Sequence, residues 1–403
     1  MKRILILGGG SAGTMLANML ARRGVETTLI SESAEHLFQP ALLYVALAGA
    51  KTNIARYERR LLSRRVNFAR ERISRVDLAG QSVLAASGAR FDYDELAVAT
   101  GARTDCGQIP GLGEIAERYG NYHSGIARAR KLWAALDSFR GGTIAVGQAS
   151  PICVCPPSPV EGVLLIDRLL RRRRLRDKSR LIYFTPFPRA YPARPMNDIV
   201  EPILKSRGIE IRVFFDVDRV DAASRAIFSI EGERIECDLP VIIPPVSGAD
   251  IAYEPAVVLN PERFLIVDRA TLRLKGADGA FAIGDAADLP TSKAGAGAHL
   301  QAKAVFRQLM GEPAAFDGRT HCAFDFGDGT GTFVVSSYAS PAVRYPPTRI
   351  KHFMKMLMGR FYWLSLSAFF EPLFDWYFAW TAPEKLSGRW PNPRKEIKAD
   401  AQP

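Results

Sequence analysis

Five cysteines stand in 403 residues, and two of them, Cys153 and Cys155, lie one residue apart in PICVCPPSPVEG, residues 151–162. The others are Cys106, Cys237 and Cys322. An odd number of thiols in a long chain is no disulfide framework, and a pair that matters here is expected to be redox-active, working by sulfur–sulfur exchange. No Cys/His cluster has zinc spacing and no CxxCH haem site occurs, so no metal is expected. In an extended CVC stretch the two thiols face the same side, about 6–7 Å apart. That is long for a relaxed disulfide, although a bridge with extra sulfur atoms can span it. Cys153 therefore reads either as a holder of sulfur or as a small apolar packing residue. Cys106 and Cys237 read as structural. Glu161, six residues beyond Cys155, reads as a proton shuttle or as a first-turn acid favoured by the helix dipole.

Such chemistry needs a scaffold, and the opening residues supply one. RILILGGGSAGTMLANMLARRG reads as strand, glycine turn and helix, with Gly8, Gly10 and Gly13 in G-x-G-x-x-G spacing. The missing side chains let backbone approach a pyrophosphate, and the following helix N-terminus, with Ser11 and Ala12, favours its charge. A second strand, ETTLISES, ends at Glu32, placed to accept bonds from ribose hydroxyls. Two later apolar strands end in Ala99-Thr100-Gly101 and in Gly284-Asp285.

GGTIAVGQAS, 141–150, starts a second unit of the same kind, but PICVCPPSPVEG follows where further glycines would cradle a phosphate. Pro156, Pro157 and Pro159 donate no backbone N–H and are expected to delay the next helix until about Glu161. Reduction by NADH is therefore not expected.

Together these segments resemble the glutathione-reductase-like flavoproteins with two dinucleotide domains. The run C-P-P-x-P-x-E from Cys155 resembles sulfide:quinone oxidoreductases and flavocytochrome c sulfide dehydrogenases. HLFQPALLYVALAG (36–49), AHLQAKAV (298–305) and THCAFDFGDGTGTFVV (320–335) carry the same resemblance. It implies FAD in the first site, held by Gly8, Gly10, Ser11, Ala12, Gly13, Glu32, Gln39, Pro40, Ala99, Thr100, Gly101, Gly284, Asp285, Lys293 and Ala294. It implies that Cys155 and Cys322 flank the flavin and form the sulfide-oxidising pair, with Glu161 and Cys153 beside them. It also implies that Lys293 precedes a helix aimed at the flavin, where helix dipole and ammonium favour an anionic reduced ring. Many sulfide:quinone oxidoreductases carry a third cysteine ahead of a histidine. This chain has Asn121-Tyr122-His123 instead, which implies a two-cysteine version. HLFQPALL offers no cysteine for covalent flavin attachment. Among the histidines, His321 adjoins Cys322, His123 is a candidate base and His299 reads as packing.

The expected fold class is α/β, with two tandem Rossmann-like domains and a C-terminal region of amphipathic membrane-surface helices. Residues 1–110 and 236–318 form the FAD domain, 111–235 the second domain carrying Cys153 and Cys155, and 319–403 the C-terminal domain. The segment 352–380 is dense in aromatic residues, yet its longest uncharged run, Phe361–Phe370, is too short to span a bilayer. Pro372 is expected to split it into two short helices lying on one leaflet, with Lys351, Lys355 and Arg360 at the headgroups. Phe333, Phe353, Tyr362 and Phe370 are candidate walls of a quinone slot. The net charge of +12 suits an anionic surface, and no motif points to nucleic acid. The expected partners are sulfide and membrane quinone, with peripheral attachment at the cytoplasmic face and room for a homo-oligomer. Two alternatives remain open: a type II NADH:quinone oxidoreductase-like enzyme, or a non-catalytic flavoprotein that stores sulfur or senses redox state.

Overall fold

The computed structural model describes residues 2–256 and 259–380. In chain order the elements that position the site are β1 (Arg3–Leu7), α1 (Ser11–Arg22), β2 (Glu26–Ser31), β3 (Val66–Arg70), β4 (Glu95–Val98) and β5 (Gly142–Gln148). They continue with α2 (Ser158–Arg172), β6 (Ser179–Phe184), β7 (Glu210–Arg212), β8 (Leu239–Ile243), β9 (Ala280–Ala282) and α3 (Gly295–Leu309). Last come β10 (Thr320–Asp325), β11 (Gly331–Ser336), β12 (Val343–Arg344), α4 (Arg349–Ser365) and α5 (Glu371–Trp380).

Two parallel sheets form the frame. The first has the order β9-β4-β1-β2-β3 and the second β7-β6-β5-β8. Ile4–Leu7 and Leu239–Ile243 are buried without alternation, as strands covered on both faces must be. Helices cover these sheets, so the class is α/β with two Rossmann-like sheets. An antiparallel sheet, β10-β11-β12, carries Cys322. Its Phe324 and Phe326 share an apolar cluster with Val160, Val163 and Leu164 of α2, which docks it against the second sheet.

Helix α2 starts at Ser158, three residues earlier than Glu161. Proline is tolerated in a first turn, where the N–H has no intrahelical acceptor, so Pro159 does not delay the helix. Cys155 departs from the expected extended CVC: its φ is 61°, and Ser158 N–H donates to its carbonyl at 2.9 Å.

The C-terminal segment does contain two helices, but α4 is 17 residues long. The chain breaks between Leu366 and Phe370, and Pro372 falls in the first turn of α5, where its missing N–H removes no intrahelical bond. That break is pinned to the first unit: Asn18 Nδ2 donates to the Leu366 carbonyl at 2.6 Å and Arg22 to that of Ala368 at 3.0 Å. At its start α4 is tied to β11 by reciprocal Gly331–Thr348 backbone bonds of 3.0 and 2.9 Å. One long face of α4 and α5 is open, with Ile350, Phe353, Phe361, Phe369, Leu373 and Trp376 exposed. No helix among the described residues is long and apolar enough to cross a membrane.

Candidate functional site

Cys155 and Cys322 come from distant segments and meet at Ser292–Lys293, just ahead of α3. Val154 bridges Lys293, and Cys155 N–H donates to the Lys293 carbonyl at 3.1 Å. Cys322, on β10, lies 3.7 Å from the Ser292 hydroxyl, sulfur to oxygen. Both are free thiols. Burial pushes the Cys155 thiol well up, and the neighbouring Glu161 and Cys322 charges push it further. Burial also takes Cys322 up to about 11, against the pull of its bond with Ser292. These thiols are therefore protonated at neutral pH, and reaction requires a group to take their protons. Cys153 is packed with the apolar cluster around β5 and α2, donates to Gln148 Oε1 at 3.6 Å, and is pushed up to about 12 by burial. Cys106 and Cys237 pack with a separate apolar cluster.

Beside the thiols lies a buried charge cluster that the sequence reading only half identified. Glu161 Oε1 accepts the Asp325 backbone N–H at 2.7 Å and pairs with the Lys355 ammonium. Burial raises the Glu161 carboxyl while the ammonium pulls it back. Lys355 also donates to the Ala323 carbonyl at 3.2 Å. Tyr44 OH donates to Asp325 Oδ2 at 3.0 Å, and His352 Nδ1 lies 3.4 Å from Asp325 Oδ1. Lys355 was expected among headgroup lysines; it instead faces inward, its side chain 12% exposed. No local pattern marked this: its partner Glu161 lies 194 residues earlier in the chain.

The glycine residues form an open cradle. A Cβ on Gly8 (φ +111°) would stand 2.2 Å from the Ala99 carbonyl oxygen, and one on Gly13 would stand 2.0 Å from that of Gly8. No atom comes within 4 Å of the Cβ position at Gly10, Gly101 or Gly295. Backbone is thus packed tightly behind the turn and left clear in front of it, which is what a dinucleotide needs. Glu32 is exposed at the end of β2, and Gln39 and Pro40 are exposed in a short turn before Leu42. Ala99 and Thr100 follow β4, and Ala12 and Ala298 line the Gly284 turn. Asp285 is half-buried and its carboxyl is raised by burial. Among the described residues its carboxylate accepts no hydrogen bond, which leaves it for a ligand hydroxyl. A recess lined by Gly284, Asp285, Thr291, Ser292, Lys293 and Ala294 runs from the Gly284 turn to the Ser292–Lys293 segment that holds both cysteines. The cradle, the unengaged carboxylates and the recess fit FAD.

Lys293 takes a different post from the one expected. Its ammonium donates to the Asp285 and Ala287 carbonyls at 2.7 and 3.1 Å and lies 3.6 Å from the centre of the Phe264 ring. Burial lowers its pKa. Its side chain thus braces the Gly284–Asp285 turn, while its carbonyl holds Cys155.

The second sheet offers no comparable cradle. A Cβ on Gly147 would meet the Phe184 carbonyl oxygen at 2.2 Å. Beyond it, Ala149 N–H is bonded to Ile243, Ile152 N–H to the Ser150 hydroxyl, and Cys155 N–H to Lys293. The buried Glu161 carboxylate sits in the first turn of α2, where an incoming phosphate would meet it.

The histidines separate clearly. His123 Nε2 bonds the Ser158 hydroxyl at 2.8 Å, and burial pushes His123 down to about 4. His321 points away from Cys322 along β10: it stacks on Phe333, meets Tyr377 OH at 3.0 Å, and is likewise pushed down to about 4. His299 bonds Glu371 of α5 at 3.2 Å and contacts Phe374 and Phe378. The four aromatic residues expected around an acceptor slot do not form one cluster. Phe333 is buried against His321, Phe353 is exposed, Tyr362 bonds Ser11, and Phe370 abuts Phe369.

Comparison with known proteins agrees with this geometry. Residues 2–303 match the pyridine nucleotide-disulphide oxidoreductase family. The mitochondrial sulfide:quinone oxidoreductase of Dictyostelium discoideum is 24% identical over 339 residues, covering 79% of this chain and 74% of the relative. The type II NADH:quinone oxidoreductase Ndh of Mycobacterium tuberculosis is 37% identical over 107 residues, 25% of this chain and 23% of the relative. The crystal structure of the sulfide:quinone oxidoreductase of Aquifex aeolicus superposes with a TM-score of 0.79 at 20% identity, covering 91% of this chain and 92% of that one. The chain belongs to the pyridine nucleotide-disulphide oxidoreductase family, a family of FAD-dependent oxidoreductases, and FAD is its cofactor.

Proposed function

From that membership we propose that the protein is a sulfide:quinone oxidoreductase, oxidising sulfide to sulfane sulfur at Cys155 and Cys322 and reducing a membrane quinone. The observation that carries the reading is the convergence of the two cysteines on Ser292–Lys293, residues that also line the recess beside the Gly284–Asp285 turn. The chemistry balances without a further reactant. With the pair joined as a disulfide, hydrosulfide attacks one sulfur; a new sulfur–sulfur bond forms, the old one breaks, and the other cysteine leaves as thiolate. Attack of that thiolate on the inner persulfide sulfur would only reverse the step. Net oxidation joins the two through the added sulfur, releasing one proton and two electrons. FAD, when bound, supplies the two-electron acceptor, and quinone removes the electrons. Glu161, held by Lys355, is the proton acceptor at the thiols, and Asp325 fixes its orientation through the backbone. Cys153, bonded to Gln148 within the apolar cluster, is a packing residue in this reading, with sulfur holding as its alternative role.

The exposed apolar face of α4 and α5 supports peripheral docking on a bilayer, where the quinone is confined. The consumed N–H groups after β5 argue against the type II NADH:quinone oxidoreductase reading. Anaerobic mixing separates the two. Sulfide is expected to bleach the flavin absorbance within one turnover and NADH to leave it unchanged; bleaching by NADH alone reverses the assignment. Cys322→Ser is expected to stay yellow yet respond to neither. Stoichiometric bleaching by sulfide without turnover of a soluble quinone analogue would favour sulfur storage.

A further inference from the structure

Tyr362 of α4 ends a chain of buried polar groups that begins at the cofactor cradle. Its hydroxyl lies 2.7 Å from the hydroxyl of Ser11, the first residue of α1, and 2.5 Å from His36 Nε2. His36 Nδ1 lies 2.9 Å from Glu58 Oε2, and Thr14 Oγ1 donates to Glu58 Oε1 at 2.6 Å. Thr14, His36 and Glu58 are almost wholly buried. One consistent set of donors runs through the chain. Ser11 O–H donates to Tyr362, Tyr362 O–H to His36 Nε2, and His36 Nδ1–H to the Glu58 carboxylate. Every group is satisfied, which is the condition under which a buried polar network is rigid.

The network lies directly behind the dinucleotide turn. A Cβ on Gly9 would stand 3.1 Å from the Glu58 carboxyl. The same face of α4 carries Lys355 two turns earlier, and a Cβ on Gly359 between them would stand 3.3 Å from the Phe38 ring. Phe38 in turn packs against Tyr362, with ring centres 4.4 Å apart and the planes tilted by 31°. The inner face of α4 therefore touches the thiol-site carboxylate at one end and the cradle at the other, while its opposite face is open.

We infer that α4 is a latch on the cofactor, and that Tyr362 is a positioning residue for FAD: by fixing the Ser11 hydroxyl it holds the first turn of α1 in its phosphate-binding geometry. The inference rests on the FAD reading of the cradle and not on sulfide as substrate. Its test follows FAD release from the full-length holoenzyme, by recovery of free-flavin fluorescence after dilution. Loss of one buried hydrogen bond that would otherwise have to loosen for the cofactor to leave corresponds to about a tenfold faster release. Tyr362→Phe is expected to show that increase. Ser11→Ala is expected to be faster as well, and Tyr362→Phe is expected to add less in the Ser11→Ala background than alone, because the two share the Ser11–Tyr362 bond while Tyr362→Phe also strips His36 Nε2 of its donor. Ile350→Ser, on the open face of the same helix, is expected to release FAD at the unmodified rate.

Release at the unmodified rate from Tyr362→Phe or from Ser11→Ala overturns the inference. So does an undiminished effect of Tyr362→Phe when Ser11 is alanine, or an equal acceleration by Ile350→Ser, which would mean general loosening of the helix. If Tyr362→Phe does not fold, the Ser11→Ala rate alone decides. A protein that carries FAD but ignores sulfide refutes the proposed function and leaves the latch standing.

Discussion

Lys355→Met isolates the contribution of the buried pair beside the thiols. The Lys355 and Glu161 side chains are 12% and 2% exposed, so the substitution leaves a carboxylate with no counter-ion and little water. Breaking such a pair from one side costs about 3–5 kcal/mol. The protein has one escape, which is to protonate Glu161. From an ordinary value of 4.5, that costs about 3.4 kcal/mol at pH 7, at 1.36 kcal/mol per unit. The expected loss of stability at pH 7 is therefore about 3 kcal/mol, capped by protonation. The sign of its pH dependence follows. Without the ammonium the folded carboxyl titrates above its unfolded value, so the penalty grows as pH rises from about 4.5 and fades as pH falls towards it. Urea unfolding of the flavin-loaded protein at pH 5 and pH 7 measures this. The deficit is expected to shrink to about 1 kcal/mol at pH 5. Lys355→Met/Glu161→Gln is expected to recover most of it at pH 7, since no uncompensated charge remains. Sulfide-dependent bleaching is expected to stay slow in both variants, because the proton acceptor is neutral in each. A deficit below about 1 kcal/mol at pH 7, or one that does not change between the two pH values, refutes the argument that the pair is buried and mutually dependent.

Three further outcomes are expected. Alkylation of Cys322 in flavin-free protein, followed by mass spectrometry, is expected to accelerate about tenfold per pH unit from pH 7 to 10, since burial holds the thiol up to about 11; a plateau below pH 8.5 contradicts this. Gly8→Ala is expected to fold without flavin, because the added Cβ would stand 2.2 Å from the Ala99 carbonyl oxygen at a φ of +111°; normal flavin content contradicts it. Ile350→Glu/Leu373→Glu is expected to weaken binding to phosphatidylglycerol-containing vesicles at least about a hundredfold, at ~1.5–3 kcal/mol for each apolar side chain taken out of the lipid, while turnover of a soluble quinone analogue continues. Unchanged vesicle binding removes the docking face.

The parts of the site that were legible in the sequence are those where backbone alone imposes a residue type. Gly8 and Gly13 are required by close packing of one peptide on another, and the apolar run Ile4–Leu7, ended at once by glycines, is too short for a helix. Cys155 and Cys322 were legible through motif resemblance, and both lie at Ser292–Lys293. What local reading could not give is direction. Lys293 precedes α3 as expected, but the low-dielectric floor under it turns its ammonium to the Asp285 and Ala287 carbonyls. Lys355 sits among aromatic residues whose outer members are exposed, and pattern alone assigns it to their side of the helix. Only the position of Glu161, on a helix 194 residues earlier in the chain, decides that it turns inward. Tyr362 was likewise read as a wall for quinone, because its partners Ser11 and His36 lie at the other end of the sequence.

These displacements share a cause, and it changes what the C-terminal segment is. An amphipathic helix that only docks on a lipid surface needs one apolar face and indifferent residues on the other. In α4 the other face is specific: Lys355 neutralises Glu161, Gly359 admits the Phe38 ring, and Tyr362 completes the Ser11–His36–Glu58 chain. The break after α4 is held by Asn18 and Arg22 of α1, so the helix is fixed at both ends to elements that build the cradle or carry Cys322. A helix so tied cannot be displaced without disturbing both the proton acceptor and the nucleotide turn. Docking and chemistry are then two faces of one rigid element, and substitutions can separate them by the side of α4 on which they fall.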